Sequence, residues 1–359
     1  MVLEPLPPLD DLERMWRALD ATGTHSFFVS WTWIGTWLRA LPPASAPSLL
    51  KTMRGTEAVA IALLARRRTK LHGIIPVRQC WLNGSGDPAL DCIMIEHNGF
   101  ASADSASGEI YSALLRWFEA ECDDADELAL PGIEPGALTN ANSKLLRADR
   151  MSPAFRTSLA SVDARAGIEP LLSRNARQQL RRSLRACERK GPLSLEIARD
   201  TKSALEYFDA MKAMHMRSWT RRGRRHAFAD PFFEMFHRAL IARGLEEGNV
   251  DLMRVSAGRY ALGYLYNFRR NGTVSSYQSG FDDSEAELRP GYVCHALAMA
   301  HYAAAGMTQY DFLAGANRLK QSFGPERYEL CWRRLRKPTR AFRAEDLARR
   351  ILDPLRGRG

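Results

Sequence analysis

Apolar residues recur every three to four positions through LDDLERMWRALD and SWTWIGTWLRAL, which predicts two amphipathic helices with tryptophan on the apolar stripe. VAIALLARRR and LHGIIPVRQCWL predict two strands around a turn at Thr69-Lys70, the first ending in Arg66, Arg67 and Arg68. Helical spacing returns in SGEIYSALLRWFEAE. DELALPG then predicts a strand stopped by Pro-Gly, and LTNANSKLLRA a further helix.

A second half opens near residue 166. SRNARQQLRRSLRACERKG predicts a basic helix closed by Gly191-Pro192, and LSLEIA a short strand. SALEYFDAMKAMHMRSWTRRG and DPFFEMFHRALIARG predict two more helices, with Asp230 as N-cap and Pro231 in the first turn of the second. NVDLMRVSA, RYALGYLYNFRR and GTVSSYQSGFD predict three strands joined by Ala-Gly and Asn-Gly turns. PGYVCHALAMAHYAAAG predicts a helix, TQYDFLAG a strand, ANRLKQSFG a short helix and RYELCWRRLRKP a last strand, before an Arg-rich tail with a peripheral helix. This order predicts a mixed α+β class rather than a Rossmann alternation. It divides the chain into an N-terminal lobe (1–165), a C-terminal domain (166–338) and a basic tail (339–359). The two halves share a loosely similar helix-then-meander order, without a repeat of solenoid length.

Composition narrows the partners. With 359 residues and 45% apolar content the chain can build two cores of ordinary size. A formal charge of +10 and a pI near 9.5 favour anionic partners. The opening MVLEPLPPLDDLERMW has acids and prolines where a secretory signal needs a positive and then an apolar region, and no window approaches the roughly 18 apolar residues of a membrane span. The six cysteines are dispersed, without a CxxC pair, and are expected to be reduced thiols of a cytoplasmic protein. The eight histidines form no HExxH or ligand cluster, so no metal is expected. GxGxxG and GxxxxGK[ST] are both missing, and GSGDP at 84–88 is a turn rather than a phosphate loop.

Local patterns mark several candidate residues. Arg174, Arg177, Arg181 and Arg185 share one face of the basic helix with Glu188 as the only nearby acid, which suits an anion or a solvated surface. Arg221, Arg222, Arg224 and Arg225 sit in a loop, where solvation is expected. His215 and Trp219, spaced i, i+4, suit core packing with a satisfied polar contact, and His295 and His301 suit packing of their helix.

The stretch from about 166 to 338 resembles the GNAT-fold acyltransferase domain of the CelD-type family, labelled for cellulose biosynthesis and related to Fem-type peptidoglycan aminoacyltransferases. The resemblance rests on SRNARQQLRRSLR, HMRSWTRRGRRHAFADPFFEMFHRAL, SYQSGFDDS followed by LRPGY, and YDFLAGANRLKQSFG. SFFVSWTWIGTWL and LNGSGDPALDCIMIEHNGF are similar to segments that precede that domain in relatives. It implies tandem GNAT-like lobes, the first degenerate, each a mixed and mostly antiparallel sheet flanked by helices. It also implies transfer of an acyl group, acetyl first, from a thioester such as acyl-CoA to an amine or hydroxyl by direct attack, with no tightly bound cofactor.

In such a fold two central strands splay, and the acyl thioester lies between them. Here these would be the strands at 272–282 and 308–314, with Tyr277 and Gln278 facing the cleft and Tyr264 and Tyr266 alternating on the preceding strand. Arg289, Pro290, Gly291 and Tyr292 would begin a helix aimed at a carrier phosphate, and Arg177 and Arg181 would add cations. The Q/R-x-x-G-x-G/A loop of ordinary acetyl-CoA enzymes is reduced in LRPGY to Arg289 and one glycine, so an acyl carrier protein or an aminoacyl-tRNA stays open as donor. Asp311 is a candidate base or acceptor anchor, Lys320 a catalytic contact and Tyr328 a candidate acid. Gly315, Phe323 and Trp219 would meet substrate, a small molecule or glycan precursor; no DNA partner is expected. The competing readings are a Fem-type transferase using charged tRNA and an inactive scaffold in polysaccharide assembly.

Overall fold

The computed structural model describes residues 1–21, 23, 25–103, 107–138, 143–162, 167–223, 225–282, 284 and 288–347. The chain divides into two compact units. One comprises residues 1–151 with the described residues from 330 onward, and the other residues 152–329.

The first unit runs β1 (Val2–Glu4), α1 (Leu9–Asp20), α2 (Trp31–Ala40), β2 (Ser48–Arg54), β3 (Glu57–Leu71), β4 (Ile75–Leu82), β5 (Ala101–Ser102), α3 (Ser107–Ala120) and β6 (Glu127–Ile133). β7 (Leu146–Ser158) leads into the second unit. There follow α4 (Arg174–Glu188), β8 (Leu193–Ile197), α5 (Thr201–Arg221), α6 (Pro231–Glu246), β9 (Val250–Ala257), β10 (Tyr260–Arg270) and β11 (Thr273–Phe281). α7 (Pro290–Ala304), β12 (Gln309–Ala314) and α8 (Arg318–Phe323) complete that unit, and β13 (Glu326–Arg336) returns to the first.

The strand order is β1-β2-β3-β4-β6-β13 in the first unit, with β5 on β3, and β7-β12-β11-β10-β9-β8 in the second. Each sheet is antiparallel except for one pair, β4 with β6 and β11 with β12. Parallel neighbours need a long crossover, and α3 and α7 supply it. The fold class is thus the expected mixed α+β, built twice. In both sheets the strand closing the far side of the parallel pair comes from beyond the run of that unit: β13 pairs with β6 and β7 with β12. The units therefore divide at 151/152 and 329/330, against expected borders at 165/166 and 338/339.

Most helices follow the sequence pattern, with caps that explain their starts. Ser173 caps α4 by accepting from the Ala176 N–H (3.3 Å), and Asp200 opens α5 in a capping box with Ser203. Asp230 stands at the N-cap of α6, but its carboxylate goes to Arg225 (2.8 Å). Four local features depart from the expectations. The first hairpin turns at His72-Gly73, where both residues have positive φ, so β3 runs through Thr69-Lys70. β2 was not anticipated. The helix expected over LTNANSKLLRA is replaced by β7 from Leu146; residues 139–142 of that stretch lie outside the described residues. β6 also passes through its Pro-Gly, because Gly132 adopts positive φ at a bulge opposite β13. Residues 340–347 are helical, as the tail predicts.

The parallel pair of the first unit is filled by its own chain. Its pairing ends at Trp81 and Ala129, and residues 95–99 lie against the ends that follow. The Asn98 N–H donates to Gly132 O (3.0 Å) and its side chain to Leu82 O (2.9 Å). A Cβ on Gly132 would overlap the Ile95 carbonyl.

Candidate active site

In the second unit the corresponding pair opens. β11 and β12 are in register at Thr273 with Gln309, Val274 with Tyr310 and Ser275 with Asp311, and no pairing between them continues beyond that point. β11 stays with β10 as far as Phe281. β12 turns away through an irregularity between Asp311 and Ala314 on β7, with Leu313 at φ +61. Left-handed backbone at a leucine is strained, so its surroundings must hold it. The Asp311 carboxylate accepts from the Leu313 N–H (2.7 Å), and Lys320 Nζ donates to Leu313 O (3.2 Å) and Ala314 O (2.6 Å). Asn317 caps α8 at the Lys320 N–H (2.9 Å), which places the lysine one turn behind the loop it clamps.

Asp311 is 2% exposed, and Tyr328 on β13 gives its hydroxyl to both carboxylate oxygens (2.8 and 2.7 Å). The Arg156 guanidinium lies 5.0 Å from the Tyr328 ring centre and pairs with Glu326 (2.8 Å). Strand exit, carboxylate, phenol and ammonium therefore form one unit at the open end of the pair.

His215 of α5 lies along the other arm. It is 5% exposed, with Nδ1 3.1 Å from Ser279 O, four residues past the last paired position of β11. A carbonyl accepts only, so Nδ1 carries the hydrogen and Nε2 holds a lone pair. That Nε2 is buried and has no hydrogen-bond partner among the described residues. Burial holds the ring below the usual histidine range, so it is neutral at pH 7. Trp219 stacks on it at 5.2 Å. Beside it Gln278 Oε1 accepts from the Ser279 N–H (3.1 Å), so that donor is held by a movable side chain.

α7 begins as expected at Pro290, with Arg289 at its N-cap at φ +42. Gly291 serves packing: a Cβ there would stand 3.0 Å from Leu319 and 3.2 Å from Phe281. Tyr292 meets Ser322 Oγ through its hydroxyl (3.1 Å) and the Phe323 ring edge-on (5.0 Å).

The structure thus brings together Asp311, Lys320, Gly315 and Tyr328, with Arg289, Pro290, Gly291 and Tyr292 starting the intervening helix. Other expected site residues lie elsewhere. The Tyr277 hydroxyl meets His237 Nε2 (3.2 Å), in a cluster with Phe233, Tyr266 and Phe268 under α6. Phe323 is fully buried and forms part of the wall behind Tyr292. Arg177 and Arg181 are not an unpaired stripe. Arg177 donates to the carbonyls of Glu169 and Leu172 (3.0 and 3.2 Å) and Arg181 to the Glu169 carboxylate (2.8 and 2.5 Å), because the turn before α4 folds back onto it. Arg224 lies outside the described residues. His295 is buried against the Tyr310 hydroxyl (3.0 Å), and His301 is exposed. His215 as more than a packing residue escaped sequence reasoning, since its i, i+4 spacing with Trp219 says nothing of Ser279. Among the described residues no group of three or more His, Cys, Asp or Glu side chains could hold a metal, and no helix is long and apolar enough to cross a membrane.

Residues 174–321 match the family model described as an acetyltransferase (GNAT) domain. This segment has the GNAT acyltransferase fold. No curated protein matches the chain. Among solved structures the chain is similar to FemX, at 12% identity over 92% of this chain and 97% of that one, with a TM-score of 0.54. It is also similar to the C-terminal domain of a putative lysylphosphatidylglycerol synthetase from Agrobacterium fabrum, at 11% identity over 96% of both chains and a TM-score of 0.55. L-PGS from Bacillus licheniformis matches at 10% identity over 100% of this chain and 99% of that one, with a TM-score of 0.55. At such identities the likeness is one of fold. It extends over both units, whereas the GNAT family model covers only the second.

Proposed function

We propose that the protein transfers an acyl group from a thioester donor, acyl-CoA first, to an amine or hydroxyl acceptor held at the open end of the β11–β12 pair. The observation that carries this reading is the loss of pairing after Ser275 and Asp311 beside the Asp311–Tyr328–Lys320 unit. The donor phosphates would sit at the first turn of α7 by Arg289, where the helix dipole favours anions. The acyl oxygen would take the Ser279 N–H as Gln278 swings aside, a fixed dipole aimed at developing negative charge. The acceptor would reach His215 Nε2 past the half-buried Trp219 and give it a proton as its lone pair attacks the carbonyl. The sulfur would leave as thiolate and take a proton from the medium. Tyr328 is better suited to orienting the acceptor than to acting as acid. Its hydrogen points at Asp311, and losing it would set a phenolate against a carboxylate.

The test is CoA release from acetyl-CoA and longer acyl-CoAs over a panel of amines and hydroxyl compounds, with thermal shift as the binding readout. His215→Gln should lower kcat by about 10²–10⁴-fold, the usual worth of a general base. Lys320→Ala should abolish turnover with the fold retained. Absence of both a thermal shift and CoA release with every thioester would sink this reading.

A second donor is favoured by one observation. Arg174, Arg182 and Arg185 of α4 and Arg189 at its C-cap are exposed, which suits a polyanion such as aminoacyl-tRNA. Binding of tRNA whose affinity falls steeply with salt, joined to aminoacyl rather than acetyl transfer, would establish it. The CelD-type assignment and a place in polysaccharide assembly are part of the same proposal, to be decided by which acceptor turns over.

A further inference from the structure

The first unit holds a dithiol that the transfer chemistry does not use. Cys80 on β4 and Cys122 just after α3 are both buried, with their sulfurs 3.9 Å apart. Arg66 of β3 lies against both, its Nη1 3.4 Å from the Cys80 sulfur and 3.9 Å from that of Cys122, and it pairs outward with Asp124. Beside them is a cleft of about 260 Å³ lined by Arg66, Arg67, Arg68, Arg78, Gln79 and Asp124. Asp87 and Asp126 pair with Arg67 and Arg78 from the rim (3.3 and 2.7 Å), and Arg68 adds a further cation.

Two sulfurs in contact beside a guanidinium differ from two buried thiols packed by chance. The thiolate is the reactive form of cysteine, and a neighbouring cation stabilises it. The two sulfurs share a hydrogen bond in which either can donate, and the Cys122 thiol also reaches the Asp124 carboxylate (3.5 Å); the bond to Cys80, with Arg66 behind it, holds Cys122 below the usual thiol range. The shared bond, and burial, push Cys80 up. The Cys122 sulfur touches Asp124 of the cleft lining (3.5 Å) while Cys80 is fully buried, which makes Cys122 the attacking sulfur and Cys80 the resolving one.

We propose that Cys80 and Cys122 form a thiol–disulfide exchange site for an anionic low-molecular-weight disulfide of the glutathione disulfide type, which enters through the arginine cleft. The Cys122 thiolate attacks one sulfur of the incoming disulfide, forming a mixed disulfide and expelling one thiolate. Cys80 then gives up its proton and attacks the Cys122 sulfur, expelling the second thiolate. The protein loses two hydrogens to a disulfide, and the reagent becomes two thiols. Closure brings the sulfurs from 3.9 Å to the roughly 2.05 Å of a disulfide. The cover over the pair is the Arg66–Asp124 ion pair, whose side chains are 34% and 59% exposed; such surface pairs open readily.

The test exposes the full-length native chain to glutathione disulfide, or to the cationic disulfide cystamine at equal concentration. Free thiols are then alkylated and mapped by mass spectrometry. The expected result is a Cys80–Cys122 cross-linked peptide, formed faster with the anionic reagent at low ionic strength, because four arginines face three carboxylates around the cleft. That ratio should move toward one at high salt. Cys80→Ser should stop at a stable glutathione adduct on Cys122, and Cys122→Ser should give neither adduct nor cross-link. Continued alkylation of both thiols in the wild-type chain, a cross-link to another cysteine, or equal rates with the two reagents at low salt would overturn the proposal. The wild-type arms decide it even if a variant fails to fold.

Discussion

Three histidines of the second unit are kept neutral by burial, and this gives the protein a defined response to acid. Burial holds His215 below its usual range and His237 well below it, and burial with the Lys320 charge puts His295 at about 3. In the unfolded chain each returns to about 6.5. The unfolded state therefore binds protons first as pH falls. The stability these groups allow is complete above about pH 6.5 and is lost below it, by up to about 1.4 kcal/mol per group per pH unit. Urea midpoints measured from pH 7.5 down to about 5.5, above most carboxylate titrations, should fall, and His295→Gln should flatten the slope. A midpoint that stays level across that range would contradict the burial of these rings.

At the scale of elements, the contact of α5 with β11 sets where His215 meets the cleft. Gly280 lies against the backbone of Met211, and a Cβ there would overlap the Met211 carbonyl. Gly280→Ala should push α5 outward, costing about 1–3 kcal/mol as overpacking does, and should lower turnover because the Ser279–His215 bond lengthens. Thermal denaturation and kcat together check this; an unchanged Tm with normal turnover would refute it. Elements whose signals are local were legible in the sequence. Pro290 begins α7, Gly191-Pro192 follows α4, and the alternation of β9 to β11 needs no partner to be seen. β7 was not legible: LRADRMSPAFRTS mixes charges with Pro153, and its extended state comes from pairing with β12. The splay itself could be expected only by resemblance, because the positive φ of Leu313 depends on Asp311, Lys320 and their capping helix. Contacts between distant residues were equally hidden, whether Glu169 with Arg181 or Cys80 with Cys122, 42 positions apart.

For the whole molecule, the exchange of closing strands decides which fragments can stand alone. A piece cut at the sequence-based borders, 166–338, lacks β7 and bares the edge of β12, which is an invitation to association. A piece spanning 146–329 keeps that edge covered. Size-exclusion chromatography should find the first aggregated and the second monodisperse; equal behaviour would show that β7 is dispensable. The same exchange has a consequence in time. On the ribosome the first unit begins to emerge first, yet β6 must wait for residues 331–336, which follow the whole of the second unit. The second unit starts later but possesses all of its strands once β12 has emerged. Maturation therefore runs against the direction of translation, and any holding factor the nascent chain meets would act on the half that was made first.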